Sequence, residues 1–265
     1  MANTTLLLHF NGANGSSEFV DSGQWRTALI NYGTYPYHVT NTYAFSTASG
    51  YFGGAGYFDT EVFSEFNMST DDWTIEFWMK STDSTGTWNG IIGTTRSSTV
   101  DGVWTITNRG NANNQVVLSN YYGSWKDIAI PTAYNPNDGN WHHIAFSRTG
   151  DTIKGFFDGY LRVTDTGNAS RPFGVSGRGF QIGYNQGNND YYEGYLDELR
   201  ITHNTGLYGA DFTPTGPFSD PSPAASSTNT RITSEVLEVL GVPTANLRVT
   251  SEVLEVLGVP TANIS

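Results

Sequence analysis

Trp73-Thr74-Ile75-Glu76-Phe77-Trp78-Met79-Lys80 sets Trp73, Ile75, Phe77 and Met79 on one face of an extended chain and Thr74, Glu76, Trp78 and Lys80 on the other. A period of two with one fully apolar face is the pattern of a half-buried β-strand. Reading outward, Trp141-His142-His143-Ile144-Ala145-Phe146-Ser147-Arg148 is a second strand. Residues 152–157 and 160–163 flank Asp158-Gly159, which supplies the left-handed pair of a tight hairpin turn. Residues 179–184 and 193–201 read as two more strands. Aromatic residues make up 14% of the chain, charged residues only 14%, and there are 30 glycines. That balance favours strands and turns over helix and over disorder. Many short strands joined by Gly/Asn turns predict an all-β chain, a two-sheet antiparallel jelly-roll sandwich.

The 265 residues carry 13 Lys and Arg against 25 Asp and Glu, a formal net charge of −12. An acidic chain without a basic cluster repels phosphate, so nucleic acid is not an expected partner. No apolar run is long enough to span a membrane. The start, Met1-Ala2-Asn3-Thr4-Thr5-Leu6-Leu7-Leu8-His9-Phe10, lacks the basic region and the apolar length of a signal peptide. Cysteine is absent, which removes disulfides, thiolate metal sites and cysteine nucleophiles together and fits synthesis in a cytoplasm.

Composition breaks sharply near residue 219. Every aromatic residue lies at or before Phe218, and only Gly241 and Gly258 of the 30 glycines lie beyond it. The expected organisation is a globular domain over 1–218, a Pro/Ser/Thr-rich linker over 219–230 and a tail over 231–265. The tail is a tandem repeat: 231–247 recurs as 248–264, differing only by Ile232 against Val249 and Leu247 against Ile264. Each copy has an apolar run closed by Gly-Val-Pro-Thr-Ala-Asn, which is turn chemistry. Ser234 could cap a short helix, but the β-branched run from Arg231 to Leu240 reads better as a strand. Val236, Leu237, Val239 and Leu240, with Val253, Leu254, Val256 and Leu257, are the expected assembly residues. A solvated tail has no use for such side chains, so homo-oligomerisation or docking on a larger assembly is expected.

The strand segments also carry a family resemblance. Leu6-Leu7-Leu8-His9-Phe10-Asn11-Gly12, Phe19-Val20-Asp21-Ser22, Phe52-Gly53-Gly54-Ala55-Gly56-Tyr57-Phe58-Asp59, the Trp73 and Trp141 strands, and Gly194–Ile201 leading to Asp211-Phe212-Thr213-Pro214 follow one another in order. Together they resemble the laminin-G-like, concanavalin-A-like lectin/glucanase jelly rolls, in the version common in tailed-bacteriophage virion proteins. The tail resembles the Arg-Val-Thr-type repeats appended to phage structural proteins. The resemblance implies a non-enzymatic display domain on a virion surface, as capsid decoration or as a tail fibre, with other virion proteins as partners. A glycan-active hydrolase of the same superfamily and a bacterial surface adhesin are the alternatives.

Hydrolysis needs two carboxyls about 5–5.5 Å apart for retention or about 6.5–9.5 Å for inversion. Glu193 and Asp197 share a strand face but stand roughly 13 Å apart along it, and strict alternation sends Glu198 to the other face. No catalytic residue is therefore expected. His142 and His143 are adjacent on a strand and point opposite ways, so one should pack and the other face solvent. Gly53-Gly54-Ala55-Gly56 lacks the lysine and helix of a phosphate loop. The resemblance implies structural calcium as the one plausible cofactor, with Asp21, Asp59 and Asp197 as its candidate ligands; carboxylates capping turns are the plainer reading.

Three expected loops combine flat rings with amides: Trp88 beside Asn89, the run Tyr121-Tyr122-Gly123-Ser124-Trp125, and Tyr184-Asn185 through Tyr191-Tyr192. A flat ring covers the apolar face of a sugar while amides and carboxylates pair with its hydroxyl rim. Trp88, Tyr121, Tyr122, Trp125, Tyr184, Asn185, Tyr191 and Tyr192 are accordingly the candidate glycan-binding residues, with host-surface glycans as the expected ligand.

Overall fold

Two antiparallel sheets pack face to face in the computed structural model, which describes residues 3–34, 36–60, 66–85, 87–94, 100–110, 113–185 and 189–221. In the first sheet the order is β13 (Tyr160–Asp165), β12 (Thr152–Phe157), β11 (His142–Thr149), β6 (Trp73–Lys80), β17 (Glu193–His203), β4 (Ser49–Gly53) and β3 (Tyr37–Val39). Here β1 (Asn3–Leu8) also pairs with β17. In the second sheet the order is β10 (Ser124–Ala129), β9 (Gln115–Tyr122), β8 (Trp104–Arg109), β7 (Trp88–Thr94), β14 (Phe180–Ile182), β5 (Gly56–Thr60) and β2 (Leu29–Gly33). The short strands β15 (Tyr184–Asn185) and β16 (Asp190–Tyr191) pair with each other, and Tyr191 bridges to Gly90 of β7. This is the expected jelly-roll sandwich. The expected linker beyond Pro221 and the repeats over 231–265, with all eight expected assembly residues, lie outside the described residues.

The deciding strand behaves as its pattern requires on one side. Trp73, Ile75, Phe77 and Met79 are fully buried between the sheets, against Trp104, Ile106, Val116 and Leu118 from the second sheet. The other side differs from expectation, because Thr74 and Glu76 are buried as well. Residues 204–218 cross this outer face as a strap. The Leu207 amide donates to Thr74 Oγ1 at 2.8 Å, and the Tyr208 hydroxyl donates to Glu76 Oε2 at 2.7 Å. Phe212 stacks on Tyr208 and meets Phe156 and His143 edge-on. The strap is anchored at the Asp158-Gly159 turn, where both residues take positive φ and the Phe212 amide donates to the Gly159 carbonyl at 2.9 Å. A Cβ on Gly159 would run into the Phe212 carbonyl, so only glycine admits the strap there.

Beneath the strap a buried charge has four donors. Glu76 accepts from His143 Nε2 at 3.2 Å, from Arg200 Nε at 2.8 Å and Nη2 at 2.5 Å, and from Tyr208. Burial alone would raise the Glu76 pKa, but the His143 hydrogen bond and the Arg200 charge outweigh it and hold the carboxyl below its ordinary value. His142 and His143 do point opposite ways. His143 is buried on Glu76, and His142 sits between Asp158, at 2.9 Å, and Asp138, at 3.0 Å, rather than in open solvent.

Strand β17 breaks the expected alternation. The β6–β17 register shifts between Asp197 and Arg200, and Glu198 takes a φ of 48°. Leu196 and Leu199 both reach the core, so the two residues between them, Asp197 and Glu198, both leave on the outer face. The expectation that Glu198 faces away from Asp197 is thereby corrected: a β-bulge, invisible to strict alternation, puts them side by side.

Candidate functional site

The outer face of the second sheet collects most of the candidate rings. Trp104, Ile106, Val116, Leu118, Phe58 and Ile182 point to the core, so their neighbours along each strand point outward. Registers then align Asp127, Ser119, Thr105, Gly93, Gln181, Asp59 and Ile30 in one row from β10 to β2. Ser119, Thr107 and Gln181 at the centre of this face are buried, while its two ends stay open.

At one end stands a tyrosine stack. Tyr32 lies on Tyr57 with ring centroids 5.0 Å apart, Tyr57 on Tyr184 at 4.7 Å, and Tyr184 against Tyr191 at 4.6 Å. Gly183, at a φ of 92°, turns the chain out of β14 so that Tyr184 can reach this stack. Gly90 lets β15 pass over β7, since a Cβ there would strike the backbone of Tyr184 and Asn185. Burial, then Asp59 and the neighbouring tyrosines, push the Tyr57 hydroxyl up to about 12, so it stays a neutral donor. Beside the stack, Asn185 Nδ2 donates to the Trp88 carbonyl at 3.2 Å and the Trp88 amide donates to Asp190 at 3.3 Å. The Arg109 guanidinium lies over the Trp88 ring.

At the other end is the β9–β10 hairpin. Tyr121 and Trp125 are register partners on the outer face, edge to face at 5.5 Å, and Trp125 is 49% exposed. Tyr122 alternates to the other side of the hairpin, where the Arg171 guanidinium stands 5.9 Å above its ring. Arg171 is held there by the Asn120 side chain at 3.0 Å and by the Asn120 and Ser124 carbonyls, each at 2.9 Å.

The expected glycan residues are thus sorted into two groups. Trp88, Tyr184, Asn185 and Tyr191 come together at one end, and Tyr121 and Trp125 at the other, where Tyr121 on β9 is four strand spacings, or about 19 Å across the sheet, from β5 and Trp125 on β10 one strand further. Tyr122 turns away from both. Tyr192 is a correction: it is fully buried against Phe52, its hydroxyl donates to the Tyr195 carbonyl at 3.3 Å, and burial drives its pKa far up. Adjacent extended residues point opposite ways, so Tyr191 and Tyr192 could not both line one surface. Tyr32, Tyr57 and Arg109 were not singled out from sequence. Tyr57-Phe58-Asp59 alternates, and its outward side could have been read from that.

The candidate calcium ligands do not gather. Asp21 spends its carboxylate on the Leu7, Gly23 and Thr27 amides at 2.9, 2.7 and 2.8 Å. Asp59 stands on the outer face of the second sheet, and Asp197 on the first sheet accepts from the Ala44 and Phe45 amides at 2.8 and 2.9 Å. Among the described residues no three His, Asp or Glu side chains are grouped to hold a metal ion. Asp21 and Asp197 do what the plainer reading expected, ordering turns. Glu198 is engaged too, by His9 Nδ1 at 2.8 Å and by the Phe218 amide at 2.7 Å, while Glu193 is exposed.

Residues 52–205, more than half of the chain, match the laminin G model described as the Concanavalin A-like lectin/glucanases superfamily. No curated protein matches the chain. Among solved structures, domain 4 of AbnA, a GH43 extracellular arabinanase from Geobacillus stearothermophilus in complex with arabinotriose, superposes with a TM-score of 0.57 at 19% identity, covering 76% of this chain and 93% of that one. The binding domain of Paraclostridial Mosquitocidal Protein 1 gives 0.59 at 16% identity, over 78% of this chain and 50% of that one. The binding domain of botulinum neurotoxin DC in complex with rat synaptotagmin II gives 0.58 at 14% identity, over 78% and 49%. This chain spans about half the length of the two toxin domains. At these identities the likeness is one of fold.

Proposed function

Because the chain belongs to the Concanavalin A-like lectin/glucanases superfamily, we propose that it is a non-enzymatic carbohydrate-binding domain whose ligand lies on the outer face of the second sheet. The carrying observation is the exposed Trp125 set edge-on to Tyr121, a rigid apolar platform beside the polar Ser119 and Asp127. The arabinotriose complex of the arabinanase domain supports a saccharide as the ligand class on this fold. Stacking plus a few hydrogen bonds gives a single site of about millimolar to micromolar affinity, roughly 4–8 kcal/mol. A glycan array probed with a multimerised full-length chain tests this. Saccharide binding that falls about tenfold in Trp125→Ala is expected; no binding on the array overturns the reading.

We further propose that the domain is displayed on a phage particle, as capsid decoration or tail fibre, and anchored through residues 231–265. Support comes from the resemblance of the ordered sequence blocks to virion proteins and from the near-identical tail repeats. Mass spectrometry of purified particles gives the copy number. Hundreds per particle mean capsid, about a dozen mean tail, and absence from particles refutes the assignment.

A further inference from the structure

One row of the same face is chemically unlike the rest. Trp88, Arg109 and Gln115 are register partners across β7, β8 and β9, and all three are half-buried, so their side chains are reachable. The Arg109 guanidinium lies over the Trp88 ring, an arrangement that covers one of its faces. Other buried or half-buried arginines spend their N–H groups on the protein. Arg200 pairs with Glu76, Arg148 donates to four carbonyls, Arg171 to Asn120 and Ser124, and Arg162 to the Tyr134 hydroxyl. Among the described residues the Arg109 guanidinium donates no hydrogen bond and joins no ion pair. Burial lowers its pKa, opposed by the charge of Asp127, which accepts from the Ser119 hydroxyl at 2.7 Å and makes no ion pair with Arg109.

A partly desolvated guanidinium fork that makes no ion pair is the matching half of a bidentate carboxylate contact. The geometry points to a carboxylate-bearing sugar as the preferred ligand of this face, its acid group received by Arg109 and a neighbouring hydroxyl by the Gln115 amide. This rests on the carbohydrate-binding reading above. Trp88 is a positioning residue, its ring lying under the guanidinium.

The test is the full-length chain on an array that pairs uronate- and sialate-bearing glycans with their carboxyl-reduced forms. Wild type should prefer the acidic member of each bound pair by at least about tenfold, the worth of a charge-assisted contact. Arg109→Gln should erase that preference while leaving the melting transition unchanged, which shows that the face is still folded; Arg109→Lys, charged but without the fork, should retain part of it. Equal binding of acidic and reduced forms, hits confined to sulfated glycans, or an unchanged preference in Arg109→Gln would each overturn the carboxylate assignment while the carbohydrate reading stands. An array without any hit overturns both.

Discussion

Asp197 keeps one oxygen on two backbone amides, while the other is buried without a hydrogen-bond partner. Burial pushes its pKa up to about 7. A folded value above the unfolded one makes the ionised form the unfavourable one, so the penalty grows as pH rises from about 4 through 7. Asp197→Asn should therefore raise the melting temperature at pH 8 and change it little at pH 4; an equal effect at both values would refute the assignment. His9 shifts the other way in its consequence. Its hydrogen bond to Glu198 outweighs burial and, with Asp220 at 2.9 Å, raises its pKa to about 9. The stability it adds is fully present below pH 6.5 and is lost as pH climbs through 9. Thermal melts of His9→Gln should show a loss of about 1–2 kcal/mol, a few degrees, at pH 6, vanishing by pH 10. Neither role was readable from sequence. His9 and Glu198 are 189 positions apart, and only the fold brings them together.

Strands were the legible elements. Alternation located β6, β11 and β17, and Asp158-Gly159 located the β12–β13 turn, because each is a local pattern with a local cause. The bulge in β17 was not legible: Leu196-Asp197-Glu198-Leu199 keeps no period, and only pairing with β6 explains it. The strap over the first sheet escaped for the same reason, being irregular chain whose rings are placed by Glu76 and Phe156 rather than by any repeat. The candidate site was half legible. The ring clusters were visible, but which face each ring takes depends on register, and Tyr122 and Tyr192 fell on the wrong side. Gly90 tests how the tyrosine end is built. Gly90→Ala must displace β15, so near-ultraviolet circular dichroism from the stacked tyrosines should fall and stability drop by about 1–3 kcal/mol. An unchanged spectrum would mean that the stack does not depend on that close approach.

At the scale of the whole molecule, the hydrophobic core is built from residues that all precede the composition break, and β1 is paired with β17. The tail is a separate proposition. If its apolar runs anchor the chain, Val236→Asp with Val253→Asp in the full-length protein should abolish oligomerisation or particle incorporation by size-exclusion light scattering and particle assays. The melting transition of the jelly roll should be unchanged. Normal incorporation of the double variant would reduce the tail to a passive extension. Tail excess negative charge, two arginines against five acids from residue 219, should keep the free chain from aggregating before it docks.

The position of β17 bears on how the protein comes into being. Among the described residues it is the last strand in the chain, yet it lies in the middle of its sheet, with β6 on one side and β1 and β4 on the other. Until His203 has been synthesised, β1 has only the short segment 21–24 beside it and the sheet exists as two unjoined halves. A growing chain rich in aromatic residues must therefore wait, collapsed but unfinished, until residue 203 of 265 has appeared. Closure through such distant contacts is slow, on the order of milliseconds to seconds. The nascent protein is thus most vulnerable to misassociation before β17 appears, when chaperone protection counts most.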